Sequence, residues 1–215
     1  MALFCLLHGA WHDGACWEPL VGALAPRGHE AIAPDLPFHD PRTTYAQRIQ
    51  PALDALADAH PPVVVVGHSM GARYAPFVAD AISAWRLVLL CPALNALREG
   101  FPFPPRRPDG TTEWDRQSAI DVMYPRPPAA TARAAAQRLR PMAHAADQAS
   151  LERDLPATVV YTADDEFFAP EEELRAARAR PFTEVIEMPG GHFPMLEDPE
   201  ALADLLDRIA HVPTA

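Results

Sequence analysis

Lysine is missing altogether: the 18 basic residues of this 215-residue chain are all arginine. That absence excludes a Walker A phosphate lysine, a pyridoxal phosphate linkage and a Schiff-base amine. Cysteine is scarce, and Cys5, Cys16 and Cys91 form an odd set with no CxxC pair. They read as small buried side chains in a reducing compartment, not as a disulfide frame or a zinc site. Positive charge is short as well, since 29 Asp and Glu leave a formal net charge of −11. With no basic cluster beyond Arg106-Arg107, the chain is ill suited to grip a nucleic-acid backbone or an anionic membrane. No apolar run approaches the ~18 residues of a membrane span. Met1–Leu7 is too short for a signal h-region and lacks a positive flank. No H-E-x-x-H, dinucleotide glycine fingerprint or EF-hand loop occurs. The expectation is a cytoplasmic protein, monomer or homodimer, that engages neither nucleic acid nor membrane and needs no cofactor and no metal.

What is present is a large core and a regular rhythm. A hydrophobic fraction of 49% supports one folded domain over residues 1–215. Short apolar runs alternate with helical stretches, which predicts an α/β fold with a mostly parallel central sheet flanked by helices. Strands are expected at Leu3–Leu7, Glu30–Ala33, Val63–Val66, Leu87–Leu90, Thr158–Thr162 and Thr183–Met188. Helices are expected at Trp17–Arg27, Tyr45–Ala59, Met70–Ile82 (kinked at Pro76) and Leu196–Ile209, with Glu171-Glu172-Glu173 opening another on a solvated face. Between about 94 and 156 the rhythm breaks. A Pro-rich run, Phe101–Pro108, precedes helices near Thr112–Val122 and Ala129–Arg138, and this block reads as a lid inserted at the carboxyl edge of the sheet.

The strongest chemical signal is Gly67-His68-Ser69-Met70-Gly71, set between the valine strand and a helix. That is G-x-S-x-G in the strand–turn–helix context it requires, with Ser69 as a candidate nucleophile. A serine hydroxyl needs a base. His192, in Pro189-Gly190-Gly191-His192-Phe193, follows the last expected strand and is the best candidate among nine histidines. The acid that would orient it lies in Tyr161-Thr162-Ala163-Asp164-Asp165-Glu166, where spacing leaves Asp164, Asp165 and Glu166 open. Oxyanion donors are expected from the backbone N–H groups of Met70 and of Ala10, in the loop after the first strand. His8 is read as a brace for that loop. His8, His12 and Asp13 could be drawn as a metal cluster but read as hydrogen-bonded loop residues.

These residues resemble a known family. Leu6–Trp11, Pro34-Asp35-Leu36, Gly67–Gly71, Tyr161–Pro170 and Gly190–Leu196 are similar to α/β-hydrolase fold proteins, nearest the small plant-type methylesterases and hydroxynitrile lyases with their bacterial relatives. The resemblance spans nearly the whole chain and implies Ser69, His192 and Asp165 as a triad, with Phe167 on the pocket wall. Cyanogenic lyases of this branch use a lysine near the histidine and tend to carry threonine where this chain has Gly9. The lack of lysine therefore favours hydrolysis. The expected substrate is a small-molecule carboxylic ester with an apolar portion, in a pocket lined by Trp11, Met123, Tyr124, Phe167 and Phe193. Thioester, lactone or carbon–carbon cleavage, or slow-turnover ligand binding on the same fold, are the alternatives.

Overall fold

The computed structural model describes residues 1–60, 62–94, 97–145, 155–179 and 183–211. Six strands, β1 (Leu3–Leu7), β2 (Glu30–Ile32), β3 (Val63–His68), β4 (Arg86–Leu90), β5 (Ala157–Thr162) and β6 (Thr183–Met188), form one all-parallel sheet in the order β2-β1-β3-β4-β5-β6. Every residue of β1 and β3 is buried. This is why their sequences run continuously apolar and do not alternate, as expected for strands covered on both faces. β2 lies at the edge and is only partly covered.

Among the described residues, eight α-helices connect and cover the strands: α1 (Glu18–Leu24), α2 (Tyr45–Ala55), α3 (Ala75–Ala81), α4 (Arg116–Met123), α5 (Ala129–Arg138), α6 (Pro170–Arg178), α7 (Pro194–Glu197) and α8 (Pro199–His211). From β1 the chain steps outward to β2 and then crosses back to β3. Right-handed crossovers therefore put α1 on one face and α2 and α3 on the other. The observed packing pairs, α1 with α8 and α2 with α3, fit that division. The reversal of strand order between β1 and β3 opens a crevice at their carboxyl ends, where open α/β sheets bind ligands.

Helix ends follow local chemistry. Thr44 caps α2 through a capping box, accepting from Gln47 N at 3.3 Å while Gln47 Oε1 accepts from Thr44 N at 2.9 Å. Asp115 caps α4 by accepting from Gln117 N and Ser118 N. The helix expected from Thr112 thus begins four residues later, because Thr112 pairs its backbone with Met142 instead. Nor does Pro76 kink a helix over Met70–Ile82. The segment is a 3-10 turn, Ser69–Arg73, followed by α3. Pro76 stands in the first turn of α3, where a missing N–H leaves no bond unmade. Likewise Pro199 separates α7 from α8 within the stretch read as one helix. Glu171–Glu173 do open α6, but Glu173 is buried and accepts from Leu94 N at 3.1 Å.

Ser69 follows β3 with φ 51, a left-handed conformation unusual for a side chain with a Cβ. The turn is tight enough to exclude side chains on either flank. A Cβ at Gly67 would stand 2.6 Å from Ala75 Cβ, and one at Gly71 would press on the carbonyl oxygens of Leu7 and His8. Gly71→Ala is therefore expected to destabilise the protein by about 1–3 kcal/mol through overpacking against backbone that cannot turn away. Gly22→Ala, in α1 with open space at its Cβ, should instead stabilise by about 0.5–1 kcal/mol. Urea denaturation of both variants checks the pair, and equal effects would refute the steric account.

Candidate active site

At the carboxyl ends of β1 and β3 lies a cavity of ≈ 520 Å³, with Ala10, Trp11, Ser69, Met70 and Phe167 in its wall. The loop after β1 is held by its own histidines. His8 Nε2 accepts from Leu36 N at 2.9 Å and its Nδ1–H donates to Gly9 O at 2.9 Å, so the ring is a neutral brace. His12 donates from Nδ1 to Ala10 O at 2.7 Å and accepts the Tyr124 hydroxyl at Nε2, also at 2.7 Å. Each ring nitrogen of His8 and His12 is thereby used within the protein, and the two do not converge on a cation position with Asp13.

Beyond β6, His192 is buried and meets Asp165: Nδ1 donates to Oδ2 at 2.7 Å. A carboxylate accepts only, so Nδ1 carries the proton and Nε2 is left as the basic nitrogen. The other Asp165 oxygen, Oδ1, accepts from Phe167 N at 2.8 Å and Phe168 N at 3.0 Å. Burial alone would raise this carboxyl, but His192 and those two N–H groups more than offset it and hold it below the ordinary carboxylate value. The neighbouring acids do different things. Asp164 is exposed and faces Arg126 at 3.4 Å. Glu166 accepts from His192 N at 3.0 Å and from Arg126 Nε at 2.7 Å, clamping the histidine loop from outside. Phe167 stacks on the imidazole with ring centroids 4.3 Å apart at 23°.

The residue before the serine ties the two halves together. His68 is buried and donates from Nε2 to the His192 carbonyl at 2.8 Å, with the two rings 4.8 Å apart. Ser69 Oγ itself makes no hydrogen bond to another described residue, and such contacts commonly tighten only when substrate is bound. Of the five residues expected to line the pocket, Trp11 and Phe167 border this cavity. Met123, Tyr124 and Phe193 stand behind the wall: Tyr124 is held by His12, Phe193 packs on His68 and Tyr124, and Met123 is buried at the end of α4. Sequence reasoning missed the tie from His68, the clamp by Glu166 and the Tyr124–His12 bond. All three join residues far apart in the chain, and no periodicity or motif signals them.

Residues 6–205 match the Alpha/beta hydrolase family. The chain belongs to that family. It is 29% identical over 134 residues to a pyrethroid hydrolase of Sphingobium wenxiniae, covering 56% of this chain and 45% of that protein. An esterase of Oryza sativa subsp. japonica is 40% identical over 78 residues, covering 32% of this chain and 29% of the esterase. The aligned stretches thus span less than half the length of either relative. Among solved structures, an Arabidopsis methylesterase superposes with a TM-score of 0.80 at 18% identity, covering 97% of this chain and 98% of the other. Among the described residues of this family member, no helix is long and apolar enough to cross a membrane.

Three buried histidines around the site make stability depend on pH. Burial lowers His12 to about 4, and it also lowers His8 and His68 below the ordinary value. The unfolded chain takes up these protons below ~6.5 while the native state refuses them. The unfolded state then binds more protons, and stability falls as pH falls from ~6.5 toward 4. Each proton of difference contributes about 1.4 kcal/mol per pH unit. Unfolding measured from pH 7 to 4 should show this decline, with a shallower slope in His12→Gln; an unchanged slope would exclude His12 as a source.

Proposed function

We propose that the protein is a serine hydrolase of carboxylic esters. The observation that carries this reading is the buried His192–Asp165 pair at 2.7 Å, tied through His68 to the turn that presents Ser69. In this reading Ser69 Oγ attacks the ester carbonyl carbon while His192 Nε2 takes its proton. Asp165 keeps the imidazole in the required tautomer and stabilises the imidazolium that forms. The N–H groups of Ala10 and Met70 hold the oxyanion, a contribution of roughly 2.7–4 kcal/mol for each donor removed in comparable sites. The tetrahedral intermediate collapses, His192 returns the proton to the departing alcohol, and a serine ester remains. Water, deprotonated by the same nitrogen, attacks that ester, and the acid is released as His192 returns the proton to Ser69 Oγ. The names of the relatives, an esterase and a pyrethroid hydrolase, support ester chemistry.

The segment from 97 to 145, with α4 and α5, acts in this reading as the lid. It contributes Phe103 and Met142 to the cavity wall and is anchored by Arg140 N donating to Trp11 O at 2.8 Å. Its apolar side chains favour an ester with a hydrophobic portion.

On a series of p-nitrophenyl esters from acetate to decanoate, Ser69→Ala should lose activity by about 10⁴–10⁶-fold with its circular dichroism spectrum unchanged. Wild-type turnover in that variant would overturn the assignment. Asp165→Asn should cut kcat by about 10⁴-fold, whereas Asp164→Asn, on the surface beside Arg126, should leave it near wild type. Equal losses in the two Asp variants would argue against the assigned acid.

A further inference from the structure

The cavity that Ser69 borders also takes in Arg73, Tyr74 and His144, and none of its described lining residues is acidic. Arg73 closes the same 3-10 turn that Ser69 opens. At about 2.0 Å of rise per residue, the two backbones stand roughly 8 Å apart along the turn. Arg73 is half-buried, and among the described residues its guanidinium has neither a hydrogen-bond nor an ion-pair partner. Such a fork of donors, left open in a cavity, matches the two oxygens of a carboxylate.

A second cation stands behind it. Arg48 is fully buried over the ring of Phe38, and its hydrogen-bond acceptors among the described residues are all neutral oxygens: Thr43 Oγ1 at 2.8 Å, Ala143 O at 2.9 Å, Tyr74 Oη at 3.1 Å and Asp40 O at 3.1 Å. The Asp40 carboxylate is instead bound by Arg42. Arg48 is therefore a guanidinium in a low-dielectric interior without a carboxylate partner among the described residues, an arrangement that favours an anion nearby. Because Tyr74 Oη accepts from Arg48, its own proton remains available to an acceptor. His144 adds no opposing charge. Burial keeps it below its ordinary value, and Arg73, Arg106 and Arg48 push in the same direction.

We propose that the substrate is an ester bearing a carboxylate, such as the half-ester of a dicarboxylic acid, with its anion seated on Arg73 and hydrogen-bonded by Tyr74. Its ester carbonyl reaches Ser69, and its hydrocarbon lies against Trp11, Phe103 and Phe167. This rests on the reading of Ser69 as nucleophile. The net charge of −11 disfavours an anion only through long-range repulsion, which is screened over about 8 Å at physiological salt.

Two measurements test it separately from the esterase reading. The first compares kcat/KM for the mono-p-nitrophenyl ester of adipic acid with that for p-nitrophenyl hexanoate, its neutral counterpart. Wild type should favour the anionic ester. That preference should fall tenfold or more in Arg73→Met and return in part in Arg73→Lys. No preference in wild type, or one that survives Arg73→Met, would overturn the anion site while leaving the hydrolase intact. The second is calorimetric titration of Ser69→Ala with monomethyl adipate, which needs no turnover. Affinity should drop tenfold or more when Arg73→Met is added. If neither nitrophenyl ester is hydrolysed, the nucleophile reading fails, and this titration still decides: Arg73-dependent binding upholds the carboxylate site and its absence overturns it.

Discussion

The hydrogen bond from His68 Nε2 to the His192 carbonyl joins loops 124 residues apart, and the geometry of the site hangs on it. His68 is the last residue of β3, and Ser69 turns sharply from it into a left-handed conformation. Whatever fixes His68 fixes the starting point of that turn. By anchoring the backbone of His192 and not its ring, the bond leaves the imidazole free to pair with Asp165 through Nδ1. Glu166 grips the N–H of the same residue from the opposite side. His192 is thus held at both its N–H and its carbonyl, and Phe167 restricts the tilt of the ring by stacking. An imidazole held this way is already oriented, which in the proposed reaction lowers the cost of bringing the reacting atoms together.

Burial supplies the chemical state of these groups as well as their positions. His8, His12 and His68 lie in the interior, where a charged imidazole is disfavoured. Neutral rings can accept as well as donate, and His8 and His12 do both. Asp165 shows the opposite balance, since it is buried yet remains ionised through its three hydrogen-bond donors. Although the chain carries a net charge of −11, the described lining of the cavity includes Arg73 and no acid. The exterior governs solubility and long-range forces, while the cavity answers to the few side chains that line it.

The turn at Ser69 was legible because it depends on local rules. G-x-S-x-G constrains backbone at a single turn, and the valine run before it announces a strand buried on both faces. Helix limits were less legible. Pro76 reads as a kink within a longer helix, and Pro199 falls inside a stretch expected as one helix, whereas in the fold each stands in the first turn of its own helix. Sequence spacing could not separate Asp164, Asp165 and Glu166. Of the three consecutive acids, Asp164 and Glu166 both meet Arg126 while Asp165 turns inward, and only the path of the loop decides which one meets the imidazole 27 positions away.

The sequence by itself determined the alternation of strands and helices, the elbow at Ser69 and the exclusion of every mechanism that needs a lysine. Those properties follow from residue type and short-range sterics, which do not depend on what packs nearby. Tertiary structure decided which acid faces His192, why Glu166 and Glu173 accept backbone N–H bonds instead of facing water, and that Arg48 is buried while Arg73 opens into a cavity. An arginine on a helical face carries no local mark of its burial. Its partners, Ala143 among them, arrive from segments up to 95 residues distant, and long-range contacts of that kind exist only once the sheet has brought the loops together.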